Sequence, residues 1–492
     1  MRTLKREPFR RRAERAVGGR ARLRVITLLA MVIALDGADK ATVSVNADNL
    51  EQTFGLNHTH IGLLVSATSL AGALATLPAG VLTDRTTRTR LLAGSIVLWS
   101  VAMVGSAVAG SFGTLLAARV GLGVVTATAG PVVASLVGDY FPSGERAHLY
   151  GYILAGELFG TGFGYVVSTN IAALLSWRIS FAWLALPGAL LAWLLARLPE
   201  PRRGGRGQLA REEQQSPAAP GAAPATGSSA RAVVRTARSE PRPEQVLRED
   251  PRTMSAHRAF AHILRIRTVL LMIAASALAY FFFAGVRSFG MLFVTHHYGV
   301  GRSTASGLVV VIGAGILAGL VAGARLPDVA LRHGHASGRV LVPAVALLAA
   351  APVFAPGILT SSALIAVPLL AVGAGLLAAA NPPLDAARLD IVPPGLWGRS
   401  EAARTLTRSA AETTAPLLFG FLSSDVFDDS GSRTEGLRMA FLVCLAPLLA
   451  AGLLSLVALR TYPRDVATAL ASADAEATGK KTGGRVQGRE AG

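Results

Sequence analysis

Three acidic residues stand where acids are expensive. Asp39, Glu157 and Glu412 each lie inside a long apolar run, and an ionised side chain at the centre of a bilayer costs about 3 kcal/mol or more. A carboxyl kept at such a place can take up and give back a proton. Arginines share the same kind of run: Arg119, Arg287 and Arg408. A guanidinium holds an anionic group through paired hydrogen bonds. Acids and bases so placed point to movement rather than bond making, with protons exchanging on carboxyls while an anion rests on guanidiniums. The structural alternatives are fixed pairs. Asp39 has Lys40 beside it and Arg119 as a further partner, and Arg404, Arg408 and Glu412 recur every fourth residue along one helix face, so Arg408 can neutralise Glu412.

Other chemistry finds little support. No nucleophile–base pair, metal cluster or Gly-Lys-Ser/Thr phosphate loop stands out. The chain reads as a non-enzyme with no cofactor and no metal. His58 and His60, and His296 and His297, read as loop residues at span ends. Cys444 is the one cysteine, which excludes an internal disulfide.

The elements that carry these residues are membrane helices. Of the 492 residues 51% are hydrophobic and only 16% charged, a composition that suits a polytopic membrane protein. A span needs roughly 20 mostly apolar residues. Twelve runs qualify, near 24–47, 58–82, 89–110, 113–137, 147–171 and 177–198, then 266–294, 303–326, 339–358, 361–384, 403–424 and 437–459. The expected fold is therefore an all-α membrane protein of twelve transmembrane helices in two pseudo-symmetric six-helix halves. Its parts are a basic arm (1–23), a first half (24–198), a linker (199–262), a second half (263–460) and a tail (461–492). The linker and the tail are poor in apolar residues and read as disordered.

The net charge of +18 does not imply nucleic acid. Basic residues crowd the arm (Lys5, Arg10, Arg12, Arg20, Arg24), the linker and the loop after the second span (Arg85, Arg88, Arg90), whereas Asp48 to His60 holds no Lys or Arg. That asymmetry puts both termini on the cytoplasmic side of a cell membrane. A monomer is expected, in contact with membrane lipids.

The halves carry matching punctuation. Gly80-Val-Leu-Thr-Asp84-Arg85-Thr-Thr-Arg88 follows one span, and a shorter copy, Ala324-Arg-Leu-Pro-Asp328, follows another. Pro131, Asp139 and Pro142 repeat as Pro382, Asp390 and Pro393 with the same spacing. A unit used twice is the signature of a secondary transporter with its site between the halves. Gly80, Asp84, Arg85, Arg88 and Asp328 then read as a latch that holds the halves in one state through ion pairs.

The segment from Gly80 through Arg88 to Leu92 resembles the loop motif between helices two and three of the major facilitator superfamily. Thr87 replaces that family's glycine and Thr89 a basic residue. Arg119-x-x-x-Gly123 resembles its fourth-helix motif. Three stretches resemble the Spinster-like branch: Asp39-Lys40-Ala-Thr42; Tyr140-Phe-Pro142 to Arg146 with Gly160-Thr-Gly-Phe-Gly164-Tyr165; and Asp390 to Arg399 with Pro416-Leu-Leu-Phe-Gly420. The resemblance implies proton-linked movement of amphipathic lipids such as lysophospholipids, with Asp39 as proton site. The expected function is secondary, proton-coupled transport of an amphipathic anion or lysolipid by alternating access, in which Asp39, Glu157 and Glu412 couple protons and Arg119, Arg287 and Arg408 bind substrate. A multidrug or organic-acid exporter is the alternative within transport, and a membrane sensor or scaffold the alternative outside it.

Overall fold

The computed structural model describes residues 19–141, 146–201, 254–333, 335, 337–393, 396–427 and 433–487, with short stretches between 233 and 247. Among the described residues the regular structure is all helical. The chain divides into two compact units. Unit 1 comprises Met1–Ala223 with Arg287–Leu292 and Gly301–Gly307; unit 2 comprises the remainder.

Among the described residues nine helices begin before residue 200: α1 (Arg20–Val45), α2 (Ala47–Phe54), α3 (His58–Arg85), α4 (Arg88–Ala107), α5 (Phe112–Thr126), α6 (Ala129–Tyr140), α7 (Arg146–Leu174), α8 (Trp177–Ala182) and α9 (Ala185–Ala196). Nine more are described after residue 255: α10 (Ala256–Arg265), α11 (Arg267–His297), α12 (Arg302–Arg332), α13 (Gly338–Leu359), α14 (Ala363–Ala379), α15 (Asn381–Ile391), α16 (Trp397–Phe421), α17 (Arg433–Val443) and α18 (Leu445–Gln487). In lipid a backbone must satisfy its own polar groups, so apolar runs of this length become helices.

Among the described residues, nine spans are long and apolar enough to cross a membrane. The long helices outside that set are α1, α7 and α16. Each runs 25 residues or more, so polarity and not length excludes them, and they carry Asp39, Glu157 and Glu412 respectively. Two spans are broken at matching places. α5 gives way to α6 at Ala127–Thr128, just before Pro131, and α14 gives way to α15 at Ala380, just before Pro382 and Pro383. Proline lacks the N–H the helix needs and crowds the carbonyl four residues back, which accounts for both breaks.

Missing side chains set the closest helix contacts. Gly156, Gly160 and Gly164 of α7 lie against Ala30, Ala34 and Ala38 of α1; a Cβ at Gly160 would stand 2.1 Å from the Ala34 carbonyl oxygen, and one at Gly164 2.6 Å from the Ala38 Cα. In unit 2, Gly315, Gly319 and Gly323 of α12 meet Ala371, Gly375 and Ala379 of α14 in the same manner, with hypothetical Cβ contacts of 2.3, 1.9 and 2.1 Å. Small residues let backbones approach where water no longer drives association. The first seam places α1, and with it Asp39, directly on α7.

Parts of the linker and tail expected to be disordered are structured. α10 begins inside the expected linker, and α18 continues through Thr461 as helix to Gln487. The backbone N–H groups of Arg242 and Leu247 donate to the hydroxyls of Thr468 (2.9 Å) and Ser472 (3.1 Å). Asp465, buried, accepts from the Thr268 N–H (3.2 Å) and hydroxyl (2.6 Å), and pairs with Arg242 at 3.3 Å. Polar groups of the two segments satisfy one another, which composition does not reveal. Burial, with Arg265 nearby, lowers the pKa of His262 in α10.

Gly160→Leu should lower the Tm of the purified protein in detergent by several degrees, because overpacking a tight contact costs about 1–3 kcal/mol. Gly162→Leu, where a Cβ would meet nothing within 4 Å, should leave the Tm unchanged.

Candidate functional site

Asp39 is 1% and Arg119 3% exposed, and they face each other from α1 and α5. The guanidinium donates through both terminal nitrogens, Nη1 to Oδ1 at 2.6 Å and Nη2 to Oδ2 at 2.9 Å. The start of α5 is fixed by a reciprocal cap, in which the Ser111 hydroxyl accepts from the Thr114 N–H at 3.2 Å and the Thr114 hydroxyl accepts from the Ser111 N–H at 3.1 Å. Met103 Sδ lies 3.9 Å from Nη1 and the Phe181 ring 6.0 Å from the guanidinium carbon. Nε of Arg119 has no hydrogen-bond partner among the described residues. Of the two partners expected for Asp39, the structure selects Arg119; Lys40 pairs instead with Asp36 at 2.7 Å.

A polar edge continues along α1. The Thr42 and Ser168 hydroxyls are 2.6 Å apart, Asn46 Nδ2 donates to the Ser180 hydroxyl at 2.9 Å, and Trp183 Nε1 donates to the Ser168 hydroxyl at 3.1 Å. These bonds tie α1 to α7, α8 and the turn after it. Glu157, half-buried on α7, has no ion pair or side-chain hydrogen bond among the described residues. The Arg287 carbonyl accepts from the Tyr165 hydroxyl at 3.1 Å. Arg302, which sequence reasoning passed over, donates to Asn49 at 2.7 Å and Asp48 at 3.3 Å within unit 1. Nearby in sequence, the buried His58 and Glu51 are 3.6 Å apart.

Unit 2 holds a cluster of a different kind, on α15 and α16. Arg404 meets Asp385 at 3.0 Å and Glu401 at 2.9 Å, while Arg388 meets Glu401 at 2.5 Å and the Ser400 hydroxyl at 3.2 Å. Arg408, one turn beyond Arg404, lies over the Tyr280 ring with its guanidinium carbon 4.1 Å from the centroid. Glu412 is half-buried one turn further on. The alternative of a fixed Arg408–Glu412 pair does not describe Arg408, which has no carboxylate within ion-pair distance among the described residues.

The expected latch is a ring of bonds inside the first half. Arg88, 1% exposed, donates to Asp139, to Glu200 (2.7 Å), to the Ser135 hydroxyl (2.8 Å) and to the Pro201 carbonyl (2.8 Å). It thus closes the start of α4, the end of α6 and the segment after α9. Arg85 is exposed with no ion pair, and the side chains of Asp84 and Asp328 lie outside the described residues. Gly80 has room for a Cβ. The second half repeats the pair: Arg339 at the start of α13 meets Asp390 of α15, and the Tyr462 hydroxyl donates to Asp390 at 2.8 Å. Arg88–Asp139 and Arg339–Asp390 each span 51 residues. The repeated Asp139 and Asp390 were the signal; their arginines stand at the same offset and were legible by the same rule.

Burial drives the Glu200 carboxyl upward, but bonds from the Thr89 N–H, the Arg88 guanidinium and the Thr89 hydroxyl outweigh it, and its pKa lies below the ordinary carboxylate value. Tyr140, whose hydroxyl donates to the Pro199 carbonyl, is raised by burial and by the Glu200 charge.

The family model described as Major Facilitator Superfamily matches residues 29–399. Among curated proteins the chain is similar to the 4-hydroxybenzoate transporter PcaK of Pseudomonas aeruginosa (30% identical over 182 residues, 37% of this chain and 40% of that one). It is similar also to a probable L-galactonate transporter of Escherichia coli K12 (27% over 165 residues, 34% and 36%). The matched stretches thus span about two fifths of those relatives' length. In fold it is similar to a bacterial homologue of the human lysosomal transporter Spinster (TM-score 0.69, 20% identity, 90% of this chain and 97% of that one). A D-xylose–proton symporter follows (TM-score 0.65, 15% identity, 88% and 96%).

Glu200 gives the ring a pH dependence. A carboxyl whose folded pKa is depressed stabilises the fold above its ordinary pKa of about 4.3 and loses that contribution as pH falls through the folded value. Glu200→Gln should therefore melt below wild type at pH 7, and the two melting curves should converge as the pH is taken below about 4.

Proposed function

For a chain that belongs to the major facilitator superfamily, and is thus a multi-pass membrane transporter and not an enzyme, we propose proton-coupled transport of a small organic anion by alternating access. One observation carries the reading: the buried, bidentate Asp39–Arg119 pair. Two opposite charges sealed in a low-dielectric site are tolerable together, and leaving either alone is strongly unfavourable. A proton that neutralises Asp39 leaves the Arg119 charge unanswered, and an anion reaching the guanidinium answers it. Departure of the anion returns Arg119 to Asp39, which expels the proton. One proton and one anionic group are thereby exchanged together on the same pair.

Glu157, half-buried and unpaired on the helix that α1 packs against, is placed as a second proton carrier. Arg287 and Glu412 are assigned supporting roles as anion contact and proton carrier. The basic arm and the Arg-rich loop after the second span support a cytoplasmic location for both termini in a cell membrane. The protein works as a monomer among membrane lipids.

The relatives matched in sequence are named for 4-hydroxybenzoate and L-galactonate, and both substrates are organic carboxylates. They favour an organic acid over a drug. The lysolipid reading rests on the three stretches that resemble the Spinster-like branch and on fold similarity to a Spinster homologue.

The test is uptake by protein in liposomes under an imposed pH gradient, with 4-hydroxybenzoate, L-galactonate and a fluorescent lysophospholipid as alternative cargoes. Wild type should accumulate one of these cargoes only when the gradient is present. Asp39→Asn should lower gradient-driven accumulation at least about a hundredfold, consistent with loss of a transferring group, while exchange of labelled for unlabelled cargo persists. Unchanged gradient-driven uptake in Asp39→Asn would refute the assignment.

A further inference from the structure

One cation of the cluster on α15 and α16 has no ion-pair partner among the described residues, and it has a definite location. Arg388 and Arg404 are largely covered, with side chains 8% and 14% exposed, and each lies within ion-pair distance of Asp385 or Glu401. Those two carboxylates are 41% and 43% exposed. Charged groups exposed to that extent in membrane helices face a water-filled space rather than hydrocarbon. Three arginines meet three carboxylates, since Glu412 stands half-buried one turn beyond Arg408; with Glu412 protonated, as its assigned role of proton carrier requires, one positive charge is in excess, and Arg408 is the member with no carboxylate within ion-pair distance among the described residues.

The residues rise in steps. Counting at 1.5 Å per residue from Trp397, Glu401 lies about 6 Å into α16, Arg404 about 10 Å and Arg408 about 16 Å. The last is about half the thickness of a bilayer core. A half-buried guanidinium at that depth, braced only on an aromatic face, has its planar fork of donors free for an oxyanion. Tyr280, on which it rests, is itself tilted against Phe283 with centroids 5.6 Å apart, so one side of the charge is lined by flat aromatic faces.

We propose that Arg408, seated on Tyr280, is the substrate receptor of the second half, and that it takes a monocarboxylate with a flat apolar body. The anion reaches it along the Glu401–Arg404–Asp385 steps, where each guanidinium exchanges a resident carboxylate for the travelling one. The carboxylate bonds to the Arg408 fork and the body lies beside Tyr280 and Phe283. A single excess charge favours a monoanion over a dianion. This assignment rests on the transporter reading and gives its cargo a chemical class; it does not depend on Asp39 being the proton site.

Equilibrium binding to the purified full-length protein separates the two claims. The probes are benzoate, the dianion phthalate and a lysophospholipid, each followed by calorimetric titration and by its effect on Tm. Benzoate should bind, phthalate at least about tenfold more weakly. Arg408→Ala should weaken benzoate about 30-fold or more, as expected for loss of a charge-assisted bidentate contact, and Arg408→Lys should recover only part of that loss. Tyr280→Ala should weaken it about fivefold. Arg197→Ala, which removes an exposed arginine over the Trp193 ring, should bind benzoate as wild type does. Full benzoate affinity in a folded Arg408→Lys or Arg408→Ala protein overturns the receptor. Binding of the lysophospholipid with none of the carboxylates overturns the substrate class and leaves the Asp39 mechanism standing. Arg408-dependent benzoate binding in a wild type whose uptake ignores the pH gradient supports the receptor and overturns the proton-coupled reading.

Discussion

Desolvation of charge is the constraint from which the rest follows. A membrane helix that carries an acid must find it a base, water or a proton, and the structure answers differently at each place. Asp39 and Arg119 neutralise each other through two short bonds in a dry site. Arg388 and Arg404 share two acids that remain accessible. Arg408 leans on a ring. The first arrangement is closed to solvent; the second leaves its acids accessible; the third sets a guanidinium on an aromatic face with no carboxylate within ion-pair distance among the described residues. Polarity is concentrated in α1, α7 and α16, the long helices that do not qualify as spans by composition, while apolar neighbours hold them in place.

The duplicated architecture is most visible in a structural ring rather than at the centre. Arg88–Asp139 and Arg339–Asp390 join equivalent helix ends in the two halves. What completes each ring has diverged. Glu200 and the Pro201 carbonyl complete the first, and the Tyr462 hydroxyl completes the second. The arginine and aspartate must be kept because each would otherwise be a lone buried charge; the remaining positions need only supply an acceptor or donor, so an acid and a phenol serve equally well.

Much of this was legible in the residues before any coordinates. Long apolar runs, prolines at repeated spacing and an Asp39 inside a span determine where helices lie, where two of them break and where a charge needs a partner. Choosing Arg119 over Lys40 was beyond the sequence, because Lys40 and Asp36 are a helical turn apart and satisfy each other locally. The Arg408–Tyr280 contact was hidden for a similar reason: Glu412 stands at helical spacing from Arg408, whereas Tyr280 is remote in sequence. The ordered stretch of linker and tail escaped notice because its stability comes from polar pairs across more than 200 residues, such as Leu247 with Ser472, which composition cannot register.

The seam between α1 and α7 has a consequence for how such a chain can change over generations. Ala30, Ala34 and Ala38 occupy the volume that Gly156, Gly160 and Gly164 leave empty. A methyl group gained on one helix must be surrendered on the other, so the two surfaces can drift only as a coupled pair. Among descendants of this sequence, the helix bearing Asp39 and the helix beside it should therefore inherit their small residues jointly, even where the cargo has changed.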